Sequence, residues 1–341
     1  MKYGILRYPH PNKRYFESSK VLLECEFNIM IVALSKDVKT LGYKTIGGVE
    51  LFVFEAEEMT EALKTGLNRI SANFILFEVD GDALKPLNED RTTYFKDDIS
   101  SILKYSGKTN EAFTGMMINV GIFSSNFKRE FQKPLNIFDP MCGRGTTLYQ
   151  GLIMGHNVAG IEIQKRDFAE INKFLKRYLT FHKYKHNESH QSIVMGGVKK
   201  GMKYTIETAD TAEHYKANDI RKIQFCNGNT LDSNDFYKKD SFHVIVTDIP
   251  YGVQHSGTSQ EKPVQMAGLL KKAAAAWRVV LKTGGTVVIS YNAFTLSKDT
   301  LKEIFEEAGY EVFTEGAYGK FEHWVEQAVN RDVFVAKKAR K

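Results

Sequence analysis

The stretch that most restricts the fold of this chain is Leu135-Asn-Ile-Phe-Asp-Pro-Met-Cys-Gly-Arg-Gly-Thr-Thr-Leu148, an apolar run closed by an acid, followed by a glycine turn and a helical pattern. Leu135, Ile137 and Phe138 suit a buried strand that Asp139 ends, and the helix is expected to run on from Thr146. Gly143 and Gly145 remove side chains that would obstruct a ligand lying across the turn. A dinucleotide site needs a third small residue three positions past the second glycine, and that position is Leu148, so NAD is disfavoured. The next strand, His156 to Ile163, carries Glu162 at its carboxyl end, where a carboxylate can take both hydroxyls of a ribose. An adenosine without a pyrophosphate fits this pair of features.

Beyond Asp139 the pattern alternates. Helices are expected at Thr146 to Met154, Lys165 to Tyr178, Val264 to Leu281 and Lys298 to Ala308. Strands are expected at Val158 to Ile163, Ile223 to Cys226, Phe242 to Thr247, Thr286 to Tyr291, Tyr310 to Thr314 and Asp332 to Ala336, with a turn at Lys282-Thr-Gly-Gly285. Such alternation predicts an α/β fold, a mostly parallel sheet with helices on both faces. Asp248-Ile-Pro-Tyr-Gly252 follows the apolar Val244-Ile-Val246, which puts it at the carboxyl end of a central strand, where open α/β sheets bind their ligands. Taken alone, that pentapeptide is also a common turn after a buried strand.

Asp139-Pro-Met-Cys-Gly-Arg-Gly-Thr146, Glu162 and Asp248-Ile-Pro-Tyr251 together resemble the Rossmann-like S-adenosylmethionine-dependent methyltransferases that modify exocyclic amines of nucleobases, most of all the tRNA and rRNA guanine-N2 methyltransferases. The resemblance covers roughly residues 105 to 338 and implies a seven-stranded, mostly parallel sheet with S-adenosyl-L-methionine as cofactor. It assigns Asp139 to the amino and methionine end of the cofactor, Gly143 and Gly145 to close backbone approach, Glu162 to the ribose, and Asn229, after Phe225-Cys-Asn-Gly, to the adenine. An asparagine in that turn has purely local reasons as well. Asp248, with the Ile249 carbonyl, would accept both protons of the target amine; Pro250 would stiffen the turn, and Tyr251 would stack on an extruded base. No metal or covalent intermediate is required. One departure is Ile249, where the resembling enzymes usually have proline. The implied substrate is RNA, most of all tRNA guanine N2. A DNA adenine-N6 or cytosine-N4 methyltransferase, or an RNA-binding protein that keeps the fold without turnover, are the competing expectations.

The first 90 residues read as a smaller α/β or α+β domain that positions substrate, with residues 91–341 as the methyltransferase domain. Its strands are expected at Met1 to Tyr8, Lys44 to Phe54 with a break at Gly47-Gly48, and Asn73 to Val79, and its helices at Arg14 to Leu34 and Glu57 to Ile70. The polar, turn-rich Asp80 to Asp90 is placed as a linker, with two helices after it. Gly107-Lys108-Thr109 is no P-loop, because the glycine required five positions earlier is Ile102. By the resemblance, Thr109 and Asn110 lie over the methionine end of the cofactor; Asn110 equally suits a cap for the helix from Glu111. Between the second and third sheet strands, about residues 180–222, an insertion with Gly196-Gly197, Lys199, Lys200 and Lys203 is expected to be a flexible basic segment able to follow a phosphate backbone, or simply a solvated loop. His182, His186 and His190, four apart, would share a helical face, but no carboxylate or cysteine completes a tetrahedral metal site.

Charge agrees with a polyanionic partner only mildly, at 47 basic against 41 acidic side chains. Residues 1–130 hold 17 basic and 18 acidic side chains, so the positive surplus belongs to the catalytic half. Cys25, Cys142 and Cys226 form no Cys-x-x-Cys pair and read as reduced thiols. With no apolar stretch of membrane-spanning length and no signal-like amino terminus, a cytoplasmic location without membrane partners is expected.

Overall fold

A computed structural model describes residues 1–10, 13–35, 37–87, 93–105, 107–250 and 261–340, without the side chains of 261–264. The first unit runs β1 (Lys2–Arg7), α1 (Lys13–Leu34), β2 (Val38–Ile46), β3 (Val49–Ala56), α2 (Glu61–Arg69), β4 (Asn73–Asp80) and β5 (Ala83–Pro86). Its antiparallel sheet has the order β2-β3-β1-β4-β5, a ferredoxin-like arrangement with one strand added. The break expected at Gly47-Gly48 within Lys44 to Phe54 is the turn of the β2–β3 hairpin, since Gly47 and Gly48 both take positive φ (58° and 80°) and reverse the chain. Helix α2 starts later than expected because the Thr60 hydroxyl accepts the Leu63 N–H at 3.2 Å and so caps it. Within the expected linker, β5 folds back on β4 around Gly81.

The second unit continues with α3 (Asp98–Ser101), α4 (Glu111–Ser124), β6 (Asn136–Asp139), α5 (Thr146–Ile153), β7 (Asn157–Glu162), α6 (Lys165–Phe181), β8 (His186–Met195), β9 (Val198–Thr208), α7 (Ala212–Lys216) and β10 (Arg221–Asn227). It then runs α8 (Ser233–Phe236), β11 (Phe242–Asp248), α9 (Glu261–Val280), β12 (Leu281–Asn292), α10 (Lys298–Glu307), β13 (Tyr310–Phe313), β14 (His323–Glu326) and β15 (Val329–Lys338). The expected seven strands form the row β13-β15-β12-β11-β6-β7-β10, in which β12, β11, β6, β7 and β10 are parallel and β15 is antiparallel to both neighbours.

The insertion departs from expectation. It is a β-hairpin, β8 and β9, turning at Gly196-Gly197 (φ 56° and 78°) and extending the sheet antiparallel to β10. Alternating residues such as Tyr204 and Ile206 pack inward, while the interleaved lysines, of which Lys203 reaches the Phe236 carbonyl and Lys200 pairs with Asp232, hid the strand pattern. His182 ends α6 whereas His186 and His190 lie on β8, so the three share no helical face. Among the described residues no group of three His, Cys, Asp or Glu side chains is placed to hold a metal. The expected turn at Lys282 to Gly285 is a kinked start of β12, with Gly284 at φ 80°, and β14 is a strand that the sequence did not announce.

Helix α4 joins the two sheets. Every residue from Phe113 to Phe123 is buried, because α1 and α5 cover it on one side and β11 and β12 on the other. Gly121 permits the contact with the sheet: a Cβ there would lie 2.4 Å from Val244 Cγ1, and the Gly121 carbonyl accepts the Thr286 hydroxyl at 2.7 Å. One hydrophobic core consequently runs from Tyr3, Phe27 and Phe54 of the first unit through Met117 and Ile118 to Val244 and Val288. Across this junction the buried Glu26 carboxylate accepts the Ser71 hydroxyl (2.6 Å) and the Asn119 amide (2.7 Å).

Candidate active site

The carboxyl ends of β6, β7, β10 and β11 lie side by side, and each carries a polar residue where the strand stops. Because β6 and β11 pair in parallel with Ile137 opposite Val244 and Phe138 opposite Ile245, Asp139 and Asp248 end neighbouring strands. Asp139 is 3% exposed and its Oδ1 accepts the Met141 N–H at 3.1 Å, which starts the glycine turn. Burial pushes its carboxyl up to about 7; the Thr147 and Thr247 hydroxyls and the Met141 N–H pull the other way, while the charge of Asp248 adds to the rise.

The turn itself is tied to β7. The Gly143 N–H donates to Glu162 Oε2 (2.9 Å), the Cys142 N–H to the Ile161 carbonyl (2.9 Å), and the Gly145 N–H to the Cys142 carbonyl (2.8 Å). Gly143 and Gly145 have φ of 52° and 92°, a backbone region that side chains disfavour, and a Cβ on Gly143 would meet nothing within 4 Å. Gly143 therefore presents bare backbone to open space, as a cofactor-cradling loop requires. Glu162 is 8% exposed and also accepts the Gln164 N–H at 2.6 Å; burial raises its pKa and the two N–H groups oppose the rise. Each of its oxygens retains a second lone pair, the number a ribose diol needs. Asn229, half-buried after β10, accepts the Leu231 N–H on its Oδ1 at 3.0 Å and caps a short 3-10 turn, the local role its sequence position suggested. These groups fit the adenosine and amino-acid parts of S-adenosylmethionine.

At Asp248 the structure brings in a partner that the motif does not contain. The Thr109 hydroxyl donates to Asp248 Oδ2, which fixes that oxygen and directs the carboxylate. The segment before α4 thus crosses the mouth of the site. Tyr105, within it, bonds the Thr146 hydroxyl at 3.1 Å and lies under the Arg144 guanidinium (4.7 Å to the ring centroid), which pairs with Asp167 at 2.8 Å. Asn110 caps α4 through the Phe113 N–H (3.1 Å) and accepts the Tyr15 hydroxyl at 2.5 Å, linking α1 of the first unit to the same mouth. Apart from the Asn110 cap, sequence spacing could not reveal these contacts, because they join residues 23 to 139 positions apart.

Ile249 compensates for the proline it replaces. Its N–H donates to the Ser290 carbonyl of β12 at 3.0 Å, a bond proline cannot make, and its side chain is 3% exposed in the core beneath. Pro250 is exposed, and Tyr251 lies outside the described residues. A cleft of about 1140 Å³ opens between the two units, with Tyr8, His10 and Tyr15 on one wall and Asn110 and Phe113 on the other; it runs towards Gly155 and Arg221, and Asp139, Glu162 and Asp248 do not line it.

A parallel sheet in this strand order, with a glycine turn and acids at the strand ends, defines the class of Rossmann-like methyltransferases. Residues 129–317 match the family model described as UPF0020, RMKL-like, methyltransferase domain, and the chain belongs to that family. Its cofactor is S-adenosylmethionine. Among solved structures it is similar to a TehB-like SAM-dependent methyltransferase from Corynebacterium glutamicum (16% identity, 60% of this chain and 80% of that one, TM-score 0.33). Others are a ribosomal protein L11 methylase from Lactobacillus delbrueckii (12%, 68% and 81%, 0.37) and the magnesium protoporphyrin IX methyltransferase of Synechocystis (10%, 69% and 87%, 0.38). No curated protein matches the chain. Among the described residues no helix is long and apolar enough to cross a membrane.

Proposed function

We propose that this methyltransferase acts on an exocyclic amine of a nucleobase in RNA, with guanine N2 of tRNA as the preferred target. The observation that carries the proposal is Asp248 at the end of β11, its Oδ2 held by Thr109 and its neighbour Ile249 bonded to Ser290. An aromatic amine has its lone pair delocalised into the ring, so it becomes nucleophilic only when its protons are drawn out of the ring plane. Oδ1 of Asp248 and the Ile249 carbonyl are the two acceptors for that task, and Thr109 keeps the carboxylate from turning away. The cofactor supplies an already activated methyl group on a sulfonium, so the protein's contribution is alignment and proximity, with the Asp248 carboxylate taking the amine proton. Asp139, Gly143, Glu162 and Asn229 would hold the cofactor at its amino group, chain, ribose and adenine. Pro250 would stiffen the turn and Tyr251 would stack on the base, from outside the described residues.

RNA is favoured over DNA by the resemblance of the first loop to the guanine-N2 enzymes. The decisive experiment compares modified nucleosides, by mass spectrometry, in tRNA, rRNA and DNA from cells with and without the gene. Loss of N2-methylguanosine from tRNA is expected; an unchanged RNA profile with altered DNA methylation would overturn the RNA assignment. With purified protein, Asp248→Ala is expected to keep its affinity for S-adenosylhomocysteine and lose methyl transfer by at least about a hundredfold. Equal turnover would remove Asp248 from the chemistry.

A further inference from the structure

The chain has two tryptophans, and the structure uses them oppositely. Trp277 is completely buried and donates its indole N–H to Thr230 at 2.9 Å. Trp324, on β14, is 48% exposed, yet it is held in place: the Arg14 guanidinium of α1 sits 4.6 Å from its ring centroid. Its neighbour on the strand, His323, points the other way into the protein, against the Phe113 ring (5.5 Å), which Arg331 covers from β15 (4.6 Å). Elements from three remote parts of the chain, α1, α4 and β14–β15, therefore meet around β14, with Arg14 and the exposed indole in one cluster on its outer side and His323, Phe113 and Arg331 on its inner side.

That cluster borders the active-site mouth. Tyr15 follows Arg14, packs tilted against His10 (4.5 Å between centroids) and bonds Asn110, and Thr109 beside Asn110 bonds Asp248. Exposing half of an indole forgoes burial that the residue would otherwise gain, and a guanidinium over one face of the ring fixes its orientation. An aromatic plate next to a cation, beside a site that must receive an extruded base, matches the way proteins hold unstacked nucleotides: the base lies on the ring and the phosphate near the cation.

We propose that Trp324 and Arg14 form a stacking platform for an unpaired nucleotide of the RNA next to the one being methylated. This rests on the RNA assignment above, and Trp324 is a positioning residue remote from the reacting atoms. Glu322, just before β14, accepts the Asn330 amide at 2.5 Å.

The test uses the intact protein and a short single-stranded oligoribonucleotide as probe. Because Trp277 is buried, a change of intrinsic fluorescence on saturation reports Trp324, and quenching is expected in the wild type. Trp324→Ala should weaken oligoribonucleotide binding by roughly five- to a hundredfold, the range of one stacked base. Trp324→Phe should retain most of the affinity, and Arg14→Ala should lie between them. In methyl transfer to tRNA, KM should rise with kcat little changed, and affinity for S-adenosylhomocysteine should be unaltered in all three variants. Should Trp324→Ala fail to fold, wild-type quenching together with the Phe and Arg14 variants decides the matter. Saturating binding without a fluorescence change, or wild-type affinity in Trp324→Ala, overturns the platform. If RNA quenches the indole and is never methylated, the platform stands and the RNA substrate assignment falls; if tRNA is methylated equally well by Trp324→Ala, only the platform falls.

Discussion

Asp139 gives the sharpest quantitative expectation. Its carboxyl is raised from 3.8 to about 7 by burial, so near neutral pH the fold without cofactor holds it about half protonated. A cofactor that places its ammonium against this group needs the carboxylate, and must expel the proton where it is present. Affinity for S-adenosylhomocysteine should therefore rise by about tenfold from pH 6 to pH 8, about 1.4 kcal/mol, and level off above. Calorimetry in two buffers of different ionisation enthalpy should find roughly half a proton released per cofactor bound at pH 7. Asp139→Asn cannot titrate, so it should bind more weakly at pH 8, with a flat profile and no proton release. The same raised pKa stabilises the cofactor-free fold while Asp139 is protonated. That stability is fully present below the unfolded-state pKa near 4 and is lost as pH rises through about 7, on the order of 4 kcal/mol in all. Asp139→Asn should thus gain thermal stability relative to wild type as pH increases. An identical pH slope of affinity in wild type and Asp139→Asn would refute the placement of the cofactor's amino group.

Thr109→Val, which removes the hydroxyl that directs Asp248, should lower kcat about tenfold or more while cofactor affinity holds, and Thr109→Ser should restore most of it. Equal loss in both variants would show that the hydroxyl does not matter. Glu162→Ala should weaken S-adenosylhomocysteine binding at least about tenfold, since it removes the ribose acceptor and the anchor of the Gly143 N–H; unchanged calorimetric affinity would exclude Glu162 from the site. Gly121→Ala should destabilise the whole chain by about 1–3 kcal/mol, read by denaturant unfolding, because the new Cβ would sit 2.4 Å from Val244 Cγ1; a neutral effect would mean that α4 can lift off the sheet at no cost.

The acids and glycines of the site could be read from the sequence because their surroundings are local. A strand ending in Asp139, a positive-φ turn at Gly143 and Gly145, and a second strand ending in Glu162 are each specified by the residues next to them. The β8–β9 hairpin was hidden because its outer strand has water on most sides, so its lysines, glutamate and histidines mask the period of two. Local caps also shifted the helix starts, as Thr60 did for α2. What no local pattern could supply was the second layer of the site. Thr109 on Asp248, Tyr15 on Asn110 and Arg14 on Trp324 depend on how α1, α4 and β14 come together, which is decided by the packing of the entire core.

The helix shared by the two sheets has an evolutionary corollary. A front module that can be detached and exchanged lets an enzyme family change its targets by shuffling. Here the apolar surface of α4 would be laid bare by any such exchange, and Glu26 and Asn119 would lose each other. A new target preference is then reached by point changes along the rim, as at the hairpin tip Gly196-Gly197, where an added side chain would meet nothing of the interior.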